Sequence, residues 1–360
     1  MLKKAAALFL VGAGLATWVG CGSTSSRYLY ASIPGSNEIV AYREDPNSGV
    51  LTELAGSPIT AGQAVQAMVL HPSGKYLYAA NSGEDDVSLF TVSSSGVLQE
   101  QPPRTLTGTA PTLIAVDTAG QYLYVANSGS FDISAFAIGS NGVLTAVGSP
   151  TPIGMIPINM TLSPSGILYV TGSTTEGAGS IGLVEAFTLS QGTLTQLPSS
   201  PFNTGTNPYG LAITPSGGFL YTGNNTDDSI SEFTVNSGGS LTPLANSPIG
   251  EPSSQAGPIG LLIDPSGTYL YVANQASSPS GIAGYSIGSD GSLTLLISSP
   301  FSTAAQPSVI ATDPSGKYLF VGNQKSSAIQ SFSLDTSDGA LTSVSSYGVP
   351  QTPTSIVVTK

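Results

Sequence analysis

The stretch Asp264-Pro265-Ser266-Gly267-Thr268-Tyr269-Leu270-Tyr271-Val272-Ala273-Asn274 decides the fold, because close copies of it recur along the chain. Each copy pairs a turn glycine with an apolar, tyrosine-rich segment, and successive turn glycines lie 46 to 51 residues apart. The six glycines are Gly74, Gly120, Gly166, Gly217, Gly267 and Gly316. A repeat of this length is typical of one blade of a β-propeller.

Two further strand-like segments follow every copy at a constant offset. One alternates apolar and polar residues around an aromatic, as at Val87 and Phe90, and the other is a Gly-x-Leu segment, as at Gly96 to Leu98. Both occur seven times, whereas the complete opening stretch occurs six times. The seventh blade is therefore split between the two ends of the chain.

The two ends carry complementary fragments of that blade. Arg27 to Ala31 resembles a second strand with no first strand before it, and Pro353 to Lys360 resembles a first strand with no second strand after it. An unpaired edge would otherwise remain at the seam of the ring. The sequence thus predicts an all-β fold, a seven-bladed β-propeller of four-stranded antiparallel blades, closed by pairing of the C-terminal strand with the N-terminal strands in one blade.

Composition supports one closed domain over residues 27–360. The chain has 360 residues with 43 glycines and 26 prolines, 40% hydrophobic residues and only 8% charged residues, which suits many short strands joined by tight turns. The formal net charge is −12. Nucleic acid is excluded as a partner, because phosphate binding needs clustered Lys and Arg.

The first residues form a targeting segment rather than part of the fold. Lys3 and Lys4 precede an apolar run from Ala5 to Val19, which ends at the chain's one cysteine, Cys21. We expect residues 1–20 to be a lipoprotein-like signal peptide, Cys21 to be lipidated, and residues 21–26 to be a linker. The protein is then extracytoplasmic, membrane-anchored through its lipid and free of disulfides; the alternative is an ordinary cleaved signal and a secreted protein.

Most conspicuous polar residues of the repeat have structural explanations. His71 occupies the turn position that Asp264 fills in another blade, where a side chain accepts local hydrogen bonds. The aromatic stripes are expected to be core, because a blade is covered on both faces by its neighbours. Asparagines such as Asn274 close the second strands; a ring of them could contribute to a metal site, but the regular repeat favours a structural role.

Acidic residues that break the repeat are the metal-site candidates. They fall in or beside the loops between the second and third strands, and carboxylate oxygens suit a hard cation such as calcium. The alternative is a solvated acidic rim with no cofactor. The candidates are Glu84, Asp85, Asp86, Asp132, Asp227 and Asp228.

The spacing Asp/His-Pro-Ser-Gly-x-Tyr-Leu-Tyr-Val-Ala-Asn, followed by an Ile/Val-x-x-Phe/Tyr strand and Gly-x-Leu-Thr, resembles the lactonase-type seven-bladed propeller family. That family includes propeller 6-phosphogluconolactonases, and its repeats are similar to YVTN surface-protein repeats. The resemblance implies an Arg-His pair at the start of an inner strand in active members. None of the seven corresponding pairs is Arg-His here; they are Gln66-Ala67, Thr112-Leu113, Ile158-Asn159, Tyr209-Gly210, Ile259-Gly260, Ser308-Val309 and Thr354-Ser355.

Two functions are open at this point. The intact repeat with empty catalytic positions favours a binding or scaffold module for a small molecule or protein, monomeric and touching the membrane only through its lipid anchor. The alternative is a lactonase or related hydrolase that opens a lactone ring in the central channel, with loop carboxylates and a divalent cation activating water. In either case we expect the ligand to meet side chains at the inner-strand starts, namely Gln66, Thr112, Asn159, Tyr209, Ser308 and Thr354.

Overall fold

The computed structural model describes residues 26–174, 180–252, 255–275 and 281–360, and in these ranges every regular element is a β-strand. The strands form seven antiparallel sheets, and consecutive sheets along the chain pack side by side in a ring. The all-β seven-bladed propeller predicted from the repeat is therefore confirmed. The signal segment, Cys21 and most of the linker lie outside the described residues.

The first three blades contain the following strands. Blade 1 has β1 (Arg27–Ile33), β2 (Glu38–Glu44), β3 (Leu51–Glu53) and β4 (Ile59–Thr60). Blade 2 has β5 (Val65–Leu70), β6 (Tyr76–Asn81), β7 (Asp86–Val92), β8 (Leu98–Glu100) and β9 (Thr105–Leu106). Blade 3 has β10 (Pro111–Val116), β11 (Tyr122–Asn127), β12 (Asp132–Ile138), β13 (Leu144–Ala146) and β14 (Thr151–Pro152).

The remaining blades repeat this order. Blade 4 has β15 (Ile156–Leu162), β16 (Ile167–Ser173), β17 (Gly182–Ser190), β18 (Thr193–Gln196) and β19 (Phe202–Asn203). Blade 5 has β20 (Pro208–Ile213), β21 (Phe219–Asn224), β22 (Ser229–Val235), β23 (Leu241–Pro243) and β24 (Ile249–Gly250). Blade 6 has β25 (Pro258–Ile263), β26 (Tyr269–Asn274), β27 (Gly281–Ile287), β28 (Leu293–Leu295) and β29 (Phe301–Ser302). Blade 7 has β30 (Pro307–Thr312), β31 (Tyr318–Asn323), β32 (Ala328–Leu334) and β33 (Leu341–Gly348), and the last strand of the chain, β34 (Ser355–Val358), returns to blade 1.

The outermost strand differs from the simple four-stranded expectation. In blades 1 to 6 it is divided into two short strands that both pair with the third strand, whereas in blade 7 it is the continuous β33. A proline such as Pro58 or Pro248 lies between the two halves in each divided strand. Because proline has no N–H to donate to the ladder, it interrupts pairing there.

The turn between the first and second strands is built as predicted. Gly267 adopts a φ of +76°, a region that L-residues avoid. The Asp264 carboxylate accepts the N–H groups of Thr268 and Tyr269 at 2.8 and 2.7 Å, and His71 Nδ1 accepts the N–H of Ser73 at 3.1 Å. The structural roles predicted for these residues are confirmed.

The tyrosine-rich second strands form the core between blades. Their central tyrosines are fully buried, and the clusters they join span two neighbouring blades, as where Tyr78 of blade 2 packs with Leu123 and Phe136 of blade 3. Five of these tyrosines also donate their hydroxyl to a glycine carbonyl in the next blade's outer hairpin. These inter-blade latches are Tyr30 to Gly96 (2.7 Å), Tyr78 to Gly142 (2.8 Å), Tyr169 to Gly239 (2.8 Å), Tyr221 to Gly291 (2.7 Å) and Tyr271 to Gly339 (2.8 Å).

The ring closes at blade 1 as the sequence predicts. Strand β34 pairs antiparallel with β1, matching Leu29 with Val358 and Ala31 with Ile356. The two chain ends thus complete one sheet in the order β3-β2-β1-β34, with β34 innermost.

Candidate binding site at the channel mouth

A β-bulge near the start of the inner strands shapes the mouth of the central channel. In blade 3 the register shifts between Pro111 and Leu113, which leaves Thr112 as the extra residue. A bulge of this kind re-aims one side chain out of the regular alternation. Corresponding shifts occur at Val65/Ala67, Pro157/Asn159, Pro208/Gly210, Pro258/Gly260 and Pro307/Val309.

The bulges surround a cavity of about 640 Å³. The six channel residues predicted from the sequence all line it, so the structure brings together residues that are up to 288 positions apart in the chain. They are Gln66, Thr112, Asn159, Tyr209, Ser308 and Thr354. The residues that line this cavity include neither Asp, Glu, Lys, Arg nor His.

Three of these six side chains donate a hydrogen bond to the neighbouring blade. Asn159 donates to the carbonyl of Tyr209 at 2.8 Å. Ser308 donates to the carbonyl of Pro353 and Thr354 to that of Gln66, both at 2.8 Å. We call these contacts the mouth stitches, because each joins one inner strand to the next.

The other three are available to a ligand or lack a partner. The side-chain amide of Gln66 and the hydroxyl of Tyr209 make no hydrogen bond within the described residues, and Tyr209 is 41% exposed. Thr112 Oγ1 is buried and has no partner among the described residues. Among the six, Gln66 in blade 2 and Tyr209 in blade 5 are therefore the accessible side chains whose polar groups make no hydrogen bond within the described residues. Apolar groups such as Ile158 and Ile259 line the cavity between the polar ones.

The acidic loop residues occupy positions where they hold backbone amides. Asp85 accepts the N–H of Ala110 at 2.7 Å, and Asp228 accepts that of Gly257 at 2.8 Å. Asp227 accepts the N–H of Thr206 at 2.6 Å. Because each bond links a loop to the connection into an inner strand, these carboxylates fasten neighbouring segments of the rim.

The remaining predicted metal ligands are also engaged. Glu84 accepts the N–H of Gln63 at 2.9 Å and forms an ion pair with Arg104. Asp86 accepts the Asn81 amide and Asp132 the Asn127 amide, both at 2.7 Å. In the part of the chain that the structure describes, no group of three or more His, Cys, Asp or Glu side chains is placed to hold a metal ion. Calcium binding stays a prediction, and the six acids are distributed over blades 2, 3 and 5.

Two carboxyl groups, one buried and one partly buried, are functional candidates that the sequence reasoning missed. Glu185 lies on β17, 4% exposed, and accepts the N–H of Gly154 at 3.1 Å; burial raises its pKa. Burial also raises the pKa of Glu251 to about 7, although a hydrogen bond from Asn274 lowers it in part. Neither residue lines the channel cavity, so neither is placed to act on a ligand there.

A signal for Glu185 was present in the repeat. In blades 2, 3 and 5 an asparagine ends the second strand beside a serine of the third strand, as Asn81 beside Ser88. In blade 4 glycine Gly172 stands at the asparagine position and Glu185 at the serine position. In blade 5, Asn224 accepts the N–H of Gly205 in the loop before the inner strand. In blade 4 the equivalent loop N–H belongs to Gly154, and the longer side chain of Glu185 reaches it instead.

Comparison with known proteins identifies the family. The sequence pattern of the family described as "Lactonase, 7-bladed beta-propeller" matches residues 22–100, 56–160, 174–280 and 260–358. The chain belongs to the lactonase family of seven-bladed β-propellers. Among curated proteins, none matches the chain significantly.

Solved structures share the same fold at low sequence identity. A Bacteroides fragilis protein provisionally named a 6-phosphogluconolactonase superposes with a TM-score of 0.81 at 20% identity, over 94% of this chain and 99% of its own. The Pseudomonas aeruginosa periplasmic gluconolactonase superposes with a TM-score of 0.75 at 18% identity, over 93% and 99% of the two chains. At such identities, the likeness to the lactonase-family structures concerns the fold.

Membrane attachment was predicted through Cys21, which lies outside the described residues. Within the described ranges there is no helix long and apolar enough to cross a membrane.

Proposed function

We propose that this lactonase-family propeller takes an uncharged sugar lactone into the channel mouth and opens its ring by hydrolysis. The observation that carries the proposal is the convergence of all six predicted residues on one cavity whose lining contains no Asp, Glu, Lys, Arg or His. Family membership supplies the reaction class. The name of the Pseudomonas relative, a periplasmic gluconolactonase, supports an unphosphorylated lactone.

The size and polarity of the cavity fit such a ligand. Its volume of about 640 Å³ lies in the range of small-molecule sites, and it combines apolar walls with a few polar groups. The Gln66 amide can hydrogen-bond ring hydroxyls, and the exposed Tyr209 ring offers an apolar face with a polar tip.

A phosphorylated lactone is disfavoured on electrostatic grounds. Recognition of a phosphate relies on Arg or Lys donors, and the cavity lining contains neither. The acidic loops and the net charge of −12 add repulsion for an anion approaching the protein.

The chemistry available at the mouth is hydrogen bonding rather than acid–base catalysis. Water adds to the lactone carbonyl carbon, the acyl carbon–oxygen bond breaks, and the former ring oxygen takes up a proton, giving the open hydroxy acid. Donors aimed at the carbonyl oxygen stabilise the negative charge that develops there. The Gln66 amide N–H and the Tyr209 O–H, which make no hydrogen bond within the described residues, can serve in this way.

The test is hydrolysis of D-glucono-1,5-lactone by the purified protein, measured by pH-stat above the spontaneous rate. We expect Gln66→Ala and Tyr209→Phe each to lower kcat/KM about tenfold or more, as for loss of a transition-state donor. Gln99→Ala, an exposed glutamine on β8 of the same blade as Gln66, is the matched control and should leave the rate unchanged. Faster turnover of the 6-phosphorylated lactone, or wild-type rates in both mouth variants, contradicts the proposal.

The calcium hypothesis needs a separate arm of this assay. If the loop carboxylates hold a catalytic cation, EDTA abolishes turnover and added Ca²⁺ restores it. Turnover that persists in EDTA removes the metal from the mechanism without affecting the proposed role of Gln66 and Tyr209.

A second candidate is a binding module that does not turn its ligand over. The observation that favours it is the lack of a carboxylate, histidine, lysine or arginine in the cavity lining, so that the usual general acids and bases are missing there. Calorimetry with the corresponding sugar lactam, which resists ring opening, separates the two functions. Lactam binding without lactone turnover identifies the binding module, whereas binding together with turnover identifies the hydrolase.

We also propose that the protein is exported as a monomer and anchored through lipid on Cys21. The basic and apolar segment before Cys21 supports this proposal. Fractionation of cells that express the wild type and Cys21→Ala tests it: the wild type should sediment with membranes and the variant should be soluble. Soluble wild-type protein indicates the secreted alternative, and sedimentation analysis of the detergent-free variant tests the monomer.

A further inference from the structure

The outer hairpin of blade 4 is tighter than its counterparts. Ser190 pairs with Thr193, so the connection is the two-residue turn Gln191–Gly192, in which both residues have positive φ, 49° and 81°. Positive φ at both positions is typical of a type I′ turn. In blades 2, 3, 5 and 6 five residues separate the last paired residues, as between Val92 and Leu98.

The tyrosine latch is missing beside this hairpin. Between blades 3 and 4 the corresponding tyrosine is Tyr124 and the corresponding glycine is Gly192. Tyr124 is 1% exposed, yet its hydroxyl has no hydrogen-bond partner among the described residues. At five other blade interfaces the equivalent tyrosine hydroxyl forms the latch described above. At the remaining interface, between blades 7 and 1, the equivalent residue is Phe320, which has no hydroxyl.

A cleft of about 270 Å³ lies where the latch is missing. It opens beside the turns that end the inner strands, on the face opposite the channel mouth. Tyr124 lines it together with Asp117 and Gln121 of blade 3 and Ser165 and Gln191 of blade 4. The cleft is therefore separate from the proposed lactone site.

The side chains of the cleft define the chemistry of an occupant. The amides of Gln121 and Gln191 supply donors and acceptors, and the Tyr124 hydroxyl supplies both. Asp117 is a carboxylate whose Oδ1 already accepts the N–H groups of Gln121 and Tyr122 at 2.6 and 2.9 Å. No Lys, Arg or His lines the cleft, so an anionic ligand lacks a counter-charge and meets the Asp117 carboxylate.

We propose that this cleft is a second binding site, which accepts one uncharged monosaccharide unit and bonds it through the Tyr124 hydroxyl. A sugar ring matches the site because its hydroxyls act as both donors and acceptors, and Leu189 provides an apolar contact for its C–H face. The site goes beyond the proposed lactonase function, since a propeller with a sugar site on the opposite face can attach to a polysaccharide while its mouth is free.

The free hydroxyl is tested by a matched pair of variants. Tyr78→Phe removes the latch to Gly142, so we expect its Tm to fall by about 2 °C. Tyr124→Phe removes a hydroxyl without a partner, so its Tm should equal that of the wild type. An equal Tm loss in both variants shows that Tyr124 is also latched, and overturns the inference.

Binding is tested by calorimetry in the Tyr209→Ala background, which disables the channel mouth. D-glucose, D-galactose and D-mannose are the probes, with D-glucuronate as the anionic counterpart. We expect one equivalent of at least one neutral sugar to bind, and Tyr124→Phe and Gln191→Ala each to weaken it about tenfold, as for one lost hydrogen bond. Binding that is unchanged by both substitutions, stronger binding of glucuronate, or no binding of any probe overturns the proposal. None of these outcomes bears on lactone turnover at the mouth.

Discussion

Blade 1 and blade 2 contain equivalent strands but join their first two strands in different ways. In blade 2 the turn at Pro72, Ser73 and Gly74 connects β5 to β6, so the partners cannot separate far. In blade 1 the partners β34 and β1 come from opposite ends of the chain and are held by noncovalent contacts alone. In the other blades the turn keeps the first two strands together. At the seam between β34 and β1, noncovalent contacts must do this instead.

The contacts that replace the turn are specific to the seam. The N–H of Tyr28 donates to Thr359 Oγ1 at 2.9 Å. Arg27 Nη1 lies 2.5 Å from Asp313 Oδ2 in blade 7 and 3.6 Å from Glu44 Oε1 in blade 1. Because the Glu44 and Asp313 side chains are fully buried, this ion cluster ties the last blade to the first inside the protein.

The largest expected effect comes from deleting residues 353–360. The deletion removes β34, exposes the edge of β1 and uncovers the core around Ile356, which is 6% exposed. Loss of one buried Ile and several backbone hydrogen bonds costs on the order of 5 kcal/mol, comparable to the whole stability of many domains. We expect urea unfolding to lose its cooperative transition or shift to a far lower midpoint.

The counterpart in blade 2 is Gly74→Ala, which strains the connecting turn at a φ of +69° but leaves the strands connected. It should cost only about 1 kcal/mol. A deletion variant as stable as Gly74→Ala contradicts the idea that the seam carries closure.

The second effect concerns Arg27. At pH 8, where Glu44 is ionised, Arg27→Met leaves the buried Glu44 and Asp313 carboxylates without their cation, and breaking a buried ion pair costs about 3 kcal/mol. Arg43→Met, on the adjacent strand with an exposed side chain, is the matched control and should change the free energy of unfolding by less than about 0.5 kcal/mol. Adding Glu44→Gln to Arg27→Met should recover part of the loss; equal stability of the two Arg variants argues against the cluster.

The third prediction is a dependence on pH. Burial, with repulsion from Asp313, raises the pKa of Glu44 to about 7. The folded protein thus keeps a proton that the unfolded chain has already lost, so stability falls as pH rises from about 5 to about 7 and then levels off. We expect the urea midpoint to be lower at pH 8 than at pH 5.

Two variants show which carboxyl groups cause the pH dependence of stability. Glu44→Gln should remove the part that belongs to the seam, and Glu251→Gln, whose pKa is also raised to about 7 by burial, should remove a part located in the connection to blade 6. A wild-type midpoint that is the same at both pH values contradicts the prediction.

The smallest effect is expected from Thr359→Val. This change leaves the N–H of Tyr28 without its hydroxyl acceptor and should cost about 1 kcal/mol by urea unfolding. Thr52→Val, on the exposed face of β3 in the same blade, should be neutral. If both substitutions are neutral, the hydroxyl adds nothing to the closure that β34 provides.

The fold could be predicted from the sequence because every blade has the same pattern of turn and strand residues. Gly267 and its copies mark the turns, the alternating segments mark the strands, and the incomplete fragments at Arg27 and Pro353 mark the seam. The divided outer strands were not foreseen, although the interrupting prolines were visible. Their effect depends on which strand of the sheet they occupy, which only the complete blade reveals.

The site was predictable in position but only partly in role. Residues at the inner-strand starts, such as Thr112, lie at the mouth because the same local pattern produces the same bulge. The sequence did not show that the side chains of Asn159 and Thr354 donate hydrogen bonds to adjacent strands, because the carbonyl groups that accept them are distant in the chain. Likewise, the sequence suggests that the carboxylates of Asp85 and Asp228 are free to bind a metal ion. In the structure they accept hydrogen bonds from backbone N–H groups of other loops.

The mouth stitches also divide the ring of channel residues into positions that evolution can vary and positions that it must keep. Replacing Asn159 or Ser308 would loosen two blades at once, whereas Gln66 and Tyr209 can change without undoing a contact in the described structure. Divergence of ligand preference among close homologues should therefore concentrate at these two positions. A library built to change what the channel accepts is best confined to them.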